Sequence, residues 1–327
     1  MLNTYIRCME KKLRWGILGP GIIAHEFVQD FKHVSNAEVV AVASRSKERG
    51  ASFAAQYKIP RVHTSYDDLY SDKEVDAIYI ATPHNFHFEQ TKKSLEAGKA
   101  VLCEKPITIS SEECKELMSI QASTDQYLVE GMWTYFLPAI RKATKWVDSG
   151  RLGKLLHLKS SFGYPVPFVP DSRYYDPDLA GGSLYDMGIY NIVMDALFIG
   201  LEPKGIKNII QYAATGVDND TLSIREYDNC TSVLNSSFQC KLNNHLYIIG
   251  EKGYIDIPDF WRARECFLYE RDTVIDQFED QRKGNGFEFE IEEVSQDILN
   301  GLVSSSTVSL ASSLQWQETM ERILKSQ

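Results

Sequence analysis

The sequence lacks any long apolar segment. No apolar run approaches the roughly 18 residues that a membrane helix needs, so we expect no membrane partner. The first residues, MLNTYIRCMEKKLRWG, also lack the apolar core of a secretory signal. A cytoplasmic location is therefore the expectation.

Cysteine and clustered positive charge are also scarce. The 327 residues include six cysteines and no C-x-x-C pair, which favours reduced, buried thiols over disulfides or a zinc site. The net charge is -10 and no basic stripe is present, so we expect no nucleic-acid partner. The cysteines are Cys8, Cys103, Cys114, Cys230, Cys240 and Cys266.

Short apolar runs alternate with helical patterns between Arg14 and Gly131. The runs are RWGIL, AEVVAVAS, AIYIAT, AVLC and QYLVEG. Strands that alternate with helices predict βαβ units and a parallel sheet. After Pro138 the pattern changes to strands with period-two alternation, such as TLSIREY, TSVLNSSF and HLYIIG, which favour an antiparallel sheet.

The predicted fold class is therefore α/β with two domains. We place a dinucleotide-binding domain with a parallel sheet at residues 12–131. A second, α+β domain with a large, mostly antiparallel sheet would occupy residues 132–327, with one helix over about 184–198 and two closing helices.

The segment ILGPGIIAHEF places Gly19, Gly21 and Ala24 in the pattern G-x-G-x-x-A. The pattern follows a predicted strand and opens a helix, so the glycines would allow a tight turn and close approach to a pyrophosphate. Ile22 and Ile23, at the start of that helix, belong to this predicted cofactor site. An ordinary glycine-rich turn is the alternative, but the surrounding βα units favour dinucleotide binding.

The end of the next strand, VASRSKER, bears on which dinucleotide is bound. An NAD site usually carries Asp or Glu about 20 residues after the glycines, and this strand end has neither. Ser44, Arg45 and Ser46 instead offer a cation and two hydroxyls, which suit the 2′-phosphate of NADP. A solvated loop arginine is the alternative; we predict NADP in preference to NAD.

The segment ATPHNFHFE carries Thr82, His84, Asn85 and His87. Two histidines without a nearby cysteine or carboxylate cluster make a poor metal site, so no metal is expected. We interpret Thr82, His84 and Asn85 as part of a loop over the nicotinamide ribose. His87 is interpreted as a cap of the helix that follows.

The segment VLCEKP ends a buried strand with Glu104, Lys105 and Pro106, at the edge where open α/β sheets bind ligands. Pro106 restricts Lys105 to an extended or turn conformation, which fixes the direction of its side chain. A surface Glu-Lys pair is the alternative. In this context we expect both Glu104 and Lys105 at the cofactor.

A further candidate lies in GGSLYDMGIYNIVMDALF. Asp186 and Tyr190 stand four residues apart, so on a helix they share one face. From spacing alone, such a pair is more often an ordinary helix surface.

These motifs, in this order and at these separations, resemble the Gfo/Idh/MocA oxidoreductases over nearly the whole chain. The segments CEKPI, EGMWTYFLPA, LGKLLHLKSSFG and TGVDNDT are most similar to its branch of dimeric dihydrodiol and NADP-dependent D-xylose dehydrogenases. The resemblance implies a Rossmann domain, and a second sheet that packs against another subunit in a homodimer or higher homo-oligomer.

The resemblance also implies roles for single residues. Lys105 would lie beside the nicotinamide and the substrate hydroxyl, and Tyr190 stands where most of the family has histidine. We also predict that Trp133 joins Tyr190 in the substrate site and that Arg173, in the loop PDSRYYDP, provides a replacement charge there; a surface ion pair is the alternative for this arginine. Tyr135 stands where the branch usually has arginine, which leaves open how the adjoining pocket is filled.

The sequence therefore predicts an NADP-dependent dehydrogenase that transfers hydride to or from a hydroxyl-bearing carbon of a small polyol, aldose or trans-dihydrodiol. Lys105 would hold the reacting oxygen and lower the pKa of Tyr190, which would move the proton while Asp186 orients both. The alternatives are a dehydrogenase of inositol or another sugar derivative, and a non-catalytic NADP(H)-binding regulator.

Overall fold

The structure is a computed structural model that describes residues 12–326. The expectations about the N-terminal segment and Cys8 concern residues outside this range. Within the range, Cys103, Cys114 and Cys266 are buried free thiols, whereas Cys240 is exposed.

The first sheet has six parallel strands in the order β3-β2-β1-β4-β5-β6. Its central strands are buried on both faces, as continuous apolar runs predict. The sequence did not indicate β3, because its three residues are partly exposed and show no apolar run. The strands are β1 Leu13–Leu18, β2 Ala37–Ala43, β3 Arg61–His63, β4 Ala77–Ile80, β5 Ala100–Glu104 and β6 Leu128–Gly131.

Helices connect these strands and begin at residues suited to that position. The side chains of Ser46 and Ser110 each accept a hydrogen bond from the backbone N–H three residues further on. The helices are α1 Ile22–Asp30, α2 Lys47–Tyr57, α3 Tyr66–Ser71, α4 His87–Glu96 and α5 Ser111–Thr124.

The second sheet has eight strands in the order β14-β13-β12-β11-β7-β10-β9-β8. Strands β7 and β10 pair in parallel and the other neighbours pair antiparallel. The strands are β7 Leu155–Gly163, β8 Gly205–Tyr212, β9 Asp218–Glu226, β10 Thr231–Ser237, β11 His245–Gly250, β12 Tyr254–Pro258, β13 Glu265–Glu270 and β14 Thr273–Glu279. The predicted fold class is confirmed.

Four more helices complete the described chain, and the last two return to the first sheet. The indole N–H of Trp15 in β1 donates to Ser295 Oγ at 3.0 Å, and the backbone N–H of Ser111 donates to Glu321 at 2.5 Å. The first sheet is therefore covered in part by residues from the far end of the chain. These helices are α6 Pro138–Asp148, α7 Ile189–Phe198, α8 Phe287–Leu299 and α9 Leu310–Lys325.

Among residues 12–326, no helix combines the length and the apolar character that crossing a membrane requires. The arrangement of the two sheets brings the carboxyl end of β5 next to the segment that leads into α7. The Nζ atom of Lys105 donates to the carbonyl oxygen of Asp186 across 81 residues of chain, at 2.6 Å. This junction is where the candidate site lies.

Candidate active site

The turn between β1 and α1 has the geometry that a pyrophosphate needs. Gly19 has a φ of 90°, and a Cβ atom there would lie 2.8 Å from Thr82 Cγ2. In the described chain α1 has no side-chain cap and no acidic residue in its first turn. The backbone N–H groups of Ile22, Ile23 and Ala24 therefore have no intrahelical partner and fit a phosphate group.

Arg45 lies beside a cavity of about 440 Å³ at the end of β2. Within residues 12–326 its guanidinium makes no hydrogen bond or ion pair, and its central carbon lies 5.6 Å from the centre of the Phe86 ring. Ser44 is buried and its Oγ accepts the Ser46 N–H at 3.2 Å. The other residues that line the cavity are Ser65, Tyr66, Asp67, Tyr70, Thr82, Phe86, Glu89, Gln90 and Lys93.

The loop after β4 carries a buried histidine ring and a buried amide oxygen. Burial, and then the positive charges of His87 and Lys105, lower the pKa of His84 to about 3, so its ring is neutral. The Oδ1 atom of Asn85 is buried and has no hydrogen-bond partner among the described residues. A buried amide oxygen of this kind fits a hydroxyl donor of a bound cofactor.

His87 does not cap α4, so that expectation is wrong. The cap residue is Phe86, and the His87 ring instead reaches two carbonyl oxygens, Pro106 O at 2.7 Å from Nδ1 and Thr82 O at 2.8 Å from Nε2. Its side chain points into the protein because it is fully buried. His87 therefore joins the loop after β4 to the turn that carries Lys105.

Glu104 faces the interior at the end of β5. It is 8% exposed, and one of its carboxylate oxygens accepts a short hydrogen bond from the Tyr79 hydroxyl. The Tyr79 ring stacks on Phe27 at 3.6 Å. Burial raises the pKa of Glu104 above its ordinary value, although the Tyr79 hydrogen bond and the Lys105 charge oppose this.

Asp186 lies in a π-helical turn, Leu184–Gly188, which leads into α7. The sequence predicted one regular helix here, and the wider turn is a difference of a kind often found at functional sites. The Asp218 carboxylate accepts hydrogen bonds from Ser183 Oγ at 2.6 Å and from the Leu184 N–H at 2.8 Å. These bonds fix the start of the turn.

Two cations hold the Asp186 carboxylate. Its Oδ1 atom lies 3.6 Å from Lys105 Nζ and 3.3 Å from Arg173 Nη1. Burial acts to raise the pKa of Asp186, but the charges of Lys105 and Arg173 outweigh it and lower the pKa to about 2. Asp186 is therefore ionised at neutral pH.

Tyr190 lies next to this ion pair but, unlike Lys105 and Asp186, is a neutral group. The Lys105 ammonium lies 4.9 Å from the centre of the Tyr190 ring, and the Tyr190 hydroxyl accepts the Trp133 indole N–H at 3.1 Å. The expectation that Lys105 lowers the pKa of Tyr190 is wrong. Burial, followed by the negative charge of Glu104, raises this pKa well above its ordinary value.

Tyr135, at the position where the branch usually has arginine, points away from Lys105. Its hydroxyl donates to the Val193 carbonyl oxygen at 2.8 Å, and its ring lies 5.4 Å from Trp316. The tyrosine therefore packs between α7 and α9.

Three aromatic residues near Tyr190 were missed by the sequence analysis. Phe162 contacts Tyr190 edge to face at 5.6 Å and stacks on Trp261 at 4.1 Å, while Phe287 stacks on Trp133 at 4.4 Å. They come from three separate segments, β7, the turn after β12 and the start of α8. Spacing gives no signal for such a set, because only the fold brings it together.

The site combines a cation, a carboxylate and a neutral phenol. Lys105 can stabilise negative charge on an oxygen, Asp186 can hold Lys105 in place, and Tyr190 can donate a proton. Among the described residues, no group of three or more His, Cys, Asp or Glu side chains could hold a metal ion.

Comparison with known proteins places the chain in a family. The model described as oxidoreductase family, NAD-binding Rossmann fold, matches residues 13–132, and the model described as GFO/IDH/MocA C-terminal domain matches residues 140–256. The chain is 32% identical to the trans-1,2-dihydrobenzene-1,2-diol dehydrogenase of Mus musculus over 325 residues, which are 96% of each protein.

Two solved structures show the same fold. An aldose-aldose oxidoreductase from Caulobacter crescentus, complexed with glycerol, has a TM-score of 0.87 and 23% identity over 96% of both chains. A levoglucosan dehydrogenase, in complex with NADH and levoglucosan, has a TM-score of 0.85 and 18% identity over 97% of both chains. The predicted resemblance is confirmed: the chain belongs to the Gfo/Idh/MocA family and is an NAD(P)-dependent dehydrogenase.

Proposed function

We propose that the protein is an NADP-dependent oxidoreductase that transfers hydride between the nicotinamide and a hydroxyl-bearing carbon of a small polyol, aldose or trans-dihydrodiol. The observation that carries the proposal is the position of Lys105. Its ammonium lies between the Asp186 carboxylate and the face of Tyr190, at the carboxyl end of β5. This is the edge of the sheet at which open α/β folds bind ligands.

Each of the three residues has a separate role. Bound NADP(H) supplies or accepts the hydride at its nicotinamide ring. Lys105 holds the substrate oxygen and stabilises the negative charge that develops on it. Tyr190 donates its proton to that oxygen in reduction and takes it back in oxidation, while Asp186, itself paired with Arg173, keeps the ammonium in position.

The preference for NADP rests on the end of β2. Arg45 is a cation with no ion-pair partner among the described residues and lies at the edge of the cavity, whereas β2 ends without a carboxylate. A 2′-phosphate would accept charge-assisted hydrogen bonds from its guanidinium. Asp67 and Glu89, which also line the cavity, are candidate acceptors for ribose hydroxyls, so binding of NAD must be measured as well.

Two groups of side chains around Tyr190, one polar and one aromatic, indicate the substrate class. Lys105, Asp186 and Arg173 form a polar side that suits hydroxyl groups, and Trp133, Phe162 and Trp261 form an aromatic side. An aromatic wall favours a flat or cyclic substrate, because ring faces bury apolar surface efficiently. The dihydrodiol dehydrogenase of Mus musculus supports the same choice.

We also propose that the chain divides at 12–131 and 132–327 and that it assembles as a homodimer or a tetramer built from it. The outward face of the second sheet carries exposed Ile209 and Ile224, and Tyr254 stacks there on Tyr269 at 4.5 Å. A second sheet would cover this face. Light scattering that finds a stable monomer at micromolar concentration contradicts the assembly; the cytoplasmic location stays a prediction.

The decisive experiment is turnover of a substrate panel with each cofactor. The panel contains a trans-dihydrodiol, D-xylose, small polyols, myo-inositol and the corresponding carbonyl compounds, each tested with NADP(H) and NAD(H). We expect turnover with NADP(H) and with at least one member of the first three classes. Turnover of inositol alone supports the sugar-derivative alternative, and cofactor binding without any turnover supports the regulator.

A further inference from the structure

A second buried acid lies near Tyr190 and has no place in the mechanism above. Glu290, in α8, is 0% exposed, and neither of its carboxyl oxygens has a hydrogen-bond partner among the described residues. Buried polar groups without a partner are rare in folded proteins, because desolvation is costly unless a hydrogen bond replaces water. An unpartnered carboxyl group beside a candidate proton donor therefore needs an explanation.

The packing of α8 places the helix face that carries Glu290 against the aromatic residues of the site. Phe287, one turn earlier on the same helix face, stacks on Trp133, whose indole N–H donates to Tyr190. Phe287 also contacts Phe27 edge to face at 5.8 Å, and Phe27 stacks on Tyr79. Glu290 is thus joined through packed rings to both tyrosines of the site.

The titratable groups that face Glu290 come from three other elements and from its own helix. They are Glu104 in β5, Tyr79 in β4, Tyr190 in α7 and Glu293 in α8. Burial raises the pKa of Glu290 well above its ordinary value, and the negative charges of Glu104 and Glu293 raise it further. Both effects favour the protonated form of the Glu290 carboxyl group.

We propose that Glu290 is the buried proton reservoir of Tyr190. The inference rests on the proposed function, because it requires Tyr190 to give a proton to the substrate. In reduction, the hydride moves from the cofactor to the carbonyl carbon, and the Tyr190 proton moves to the carbonyl oxygen. The Glu290 proton then replaces the one that Tyr190 has lost, and the Glu290 carboxylate takes a proton from solvent before the next turnover.

In oxidation the same protons move in the opposite direction. Glu290 acts through Tyr190 and does not contact the substrate. Because no hydrogen bond anchors the Glu290 carboxyl, its side chain can turn toward Tyr190 without breaking one. This arrangement also explains how Tyr190 can serve although its pKa is raised: the phenolate never has to persist, because Glu290 returns a proton to it.

The first test needs neither cofactor nor substrate. Infrared difference spectra at pH 7 compare the wild type with Glu290→Gln, which keeps the size of the side chain. We expect the substitution to remove the carbonyl band of a protonated carboxylic acid. Loss of the two bands of an ionised carboxylate instead would overturn the proposal, whether or not the enzyme has the activity proposed above.

The second test measures carbonyl reduction. In Glu290→Gln we expect kcat to fall roughly 10-fold to 100-fold, less than for a directly reacting acid. The solvent deuterium isotope effect on kcat should rise, while KM and the affinity for NADPH stay unchanged. The matched control is Glu292→Gln on the same helix, since the Glu292 side chain is exposed at the surface.

The outcomes separate the two proposals. An active wild type in which Glu290→Gln keeps the full kcat and the same isotope effect overturns the reservoir and leaves the proposed function standing. A wild type that binds NADP(H) but reduces nothing in the substrate panel contradicts the proposed function itself. Thermal unfolding of both variants checks that a lower rate does not come from a damaged fold.

Discussion

Asp186 and Glu290 are two acids near the same tyrosine, and their pKa values move in opposite directions. Asp186 has Lys105 and Arg173 within 3.6 Å, and these charges hold its pKa at about 2. Glu290 has no partner among the described residues, and burial holds its pKa well above the ordinary value. The nearest partners, rather than burial alone, decide which acid is a charge and which is a proton donor.

Glu130, at the end of β6, lies between these two cases. Burial raises its pKa from 4.5 to about 7, opposed by the Ser313 hydroxyl and by the backbone N–H of Ile107, which donates at 3.0 Å. The three acids therefore differ in what surrounds them: two cations at Asp186, a hydroxyl and an amide at Glu130, and no hydrogen-bond partner at Glu290. Each substitution below changes one of these acids or one of the groups that act with them.

Lys105→Met should have the largest effect, because it removes the charge on which both Asp186 and the reacting oxygen depend. We expect kcat to fall by at least on the order of 10² to 10³, the share of one donor to a developing oxyanion. The pKa of Asp186 should rise, since one of its two cations is lost. NADP affinity should stay nearly intact, because the proposed role of Lys105 is at the reacting oxygen and not at the cofactor phosphates.

Steady-state kinetics of Lys105→Met measure the fall in kcat, and cofactor titration measures the affinity for NADP. A parallel loss of NADP affinity and rate would mean that the lysine is a cofactor ligand and not a group of the reacting centre. Lys92→Met, which removes a surface ion pair with Glu116, is a control for the loss of a lysine.

Tyr190→Phe tests the group that stands next to both acids. We expect kcat to fall by on the order of 10² to 10⁴, the usual share of a general acid or base. Because the pKa of Tyr190 is raised, its ionisation should produce no step in the wild-type pH profile near neutral pH. Tyr185→Phe, in the π-helical turn that leads into α7, is the matched control.

A full rate in Tyr190→Phe would show that the tyrosine is a packed helix residue. If instead the wild-type rate rises with pH through neutrality and Tyr190→Phe loses this rise, Tyr190 has the lowered pKa that the sequence predicted.

Arg45→Ala changes the opposite end of the proposed cofactor site, where the 2′-phosphate of NADP would bind. We expect NADP binding to weaken by about 1.5 to 3 kcal/mol, the value of a hydrogen bond to a charged group, with little change for NAD. Calorimetric titration of both cofactors measures the difference. Equal losses for NADP and NAD, or tighter binding of NAD by the wild type, would remove the basis for the NADP preference.

Glu130→Gln should have the smallest effect on the reaction and a visible effect on stability. The folded pKa of Glu130 is about 7 and its ordinary value is 4.5. Its contribution to stability is therefore fully present below about pH 4.5 and is lost as the pH rises through 7. Gln cannot titrate but can still accept the Ile107 N–H, so chemical denaturation should lose this pH dependence. An unchanged dependence between pH 5 and 8 would contradict the assignment.

The sequence predicted the parts of the fold that depend on local periodicity. Five of the six strands of the first sheet follow from apolar runs, and the glycine pattern predicts the turn before α1. Strand β3 and strand β8 were missed because neither shows a clean apolar pattern in a short segment. The covering of the first sheet by α8 and α9 is a long-range contact that local patterns do not contain.

Only those residues of the candidate site that belong to a sequence motif could be predicted. Lys105, Asp186 and Tyr190 come from recognisable segments, and the structure brings them together. The pKa of Tyr190 was misjudged, because burial and the charge of Glu104 depend on the packing. Glu290 gave no sequence signal, since a glutamate in a helix is ordinarily a solvated residue.

The most direct test of the central claim is a crystal of the protein soaked with NADPH and solved with the cofactor in place. We expect the nicotinamide ring to lie at the end of β5, with its C4 atom facing a space bordered by Lys105 Nζ and the Tyr190 hydroxyl. The adenosine phosphate should contact Arg45. A nicotinamide ring bound away from Lys105 and Tyr190 would contradict the account.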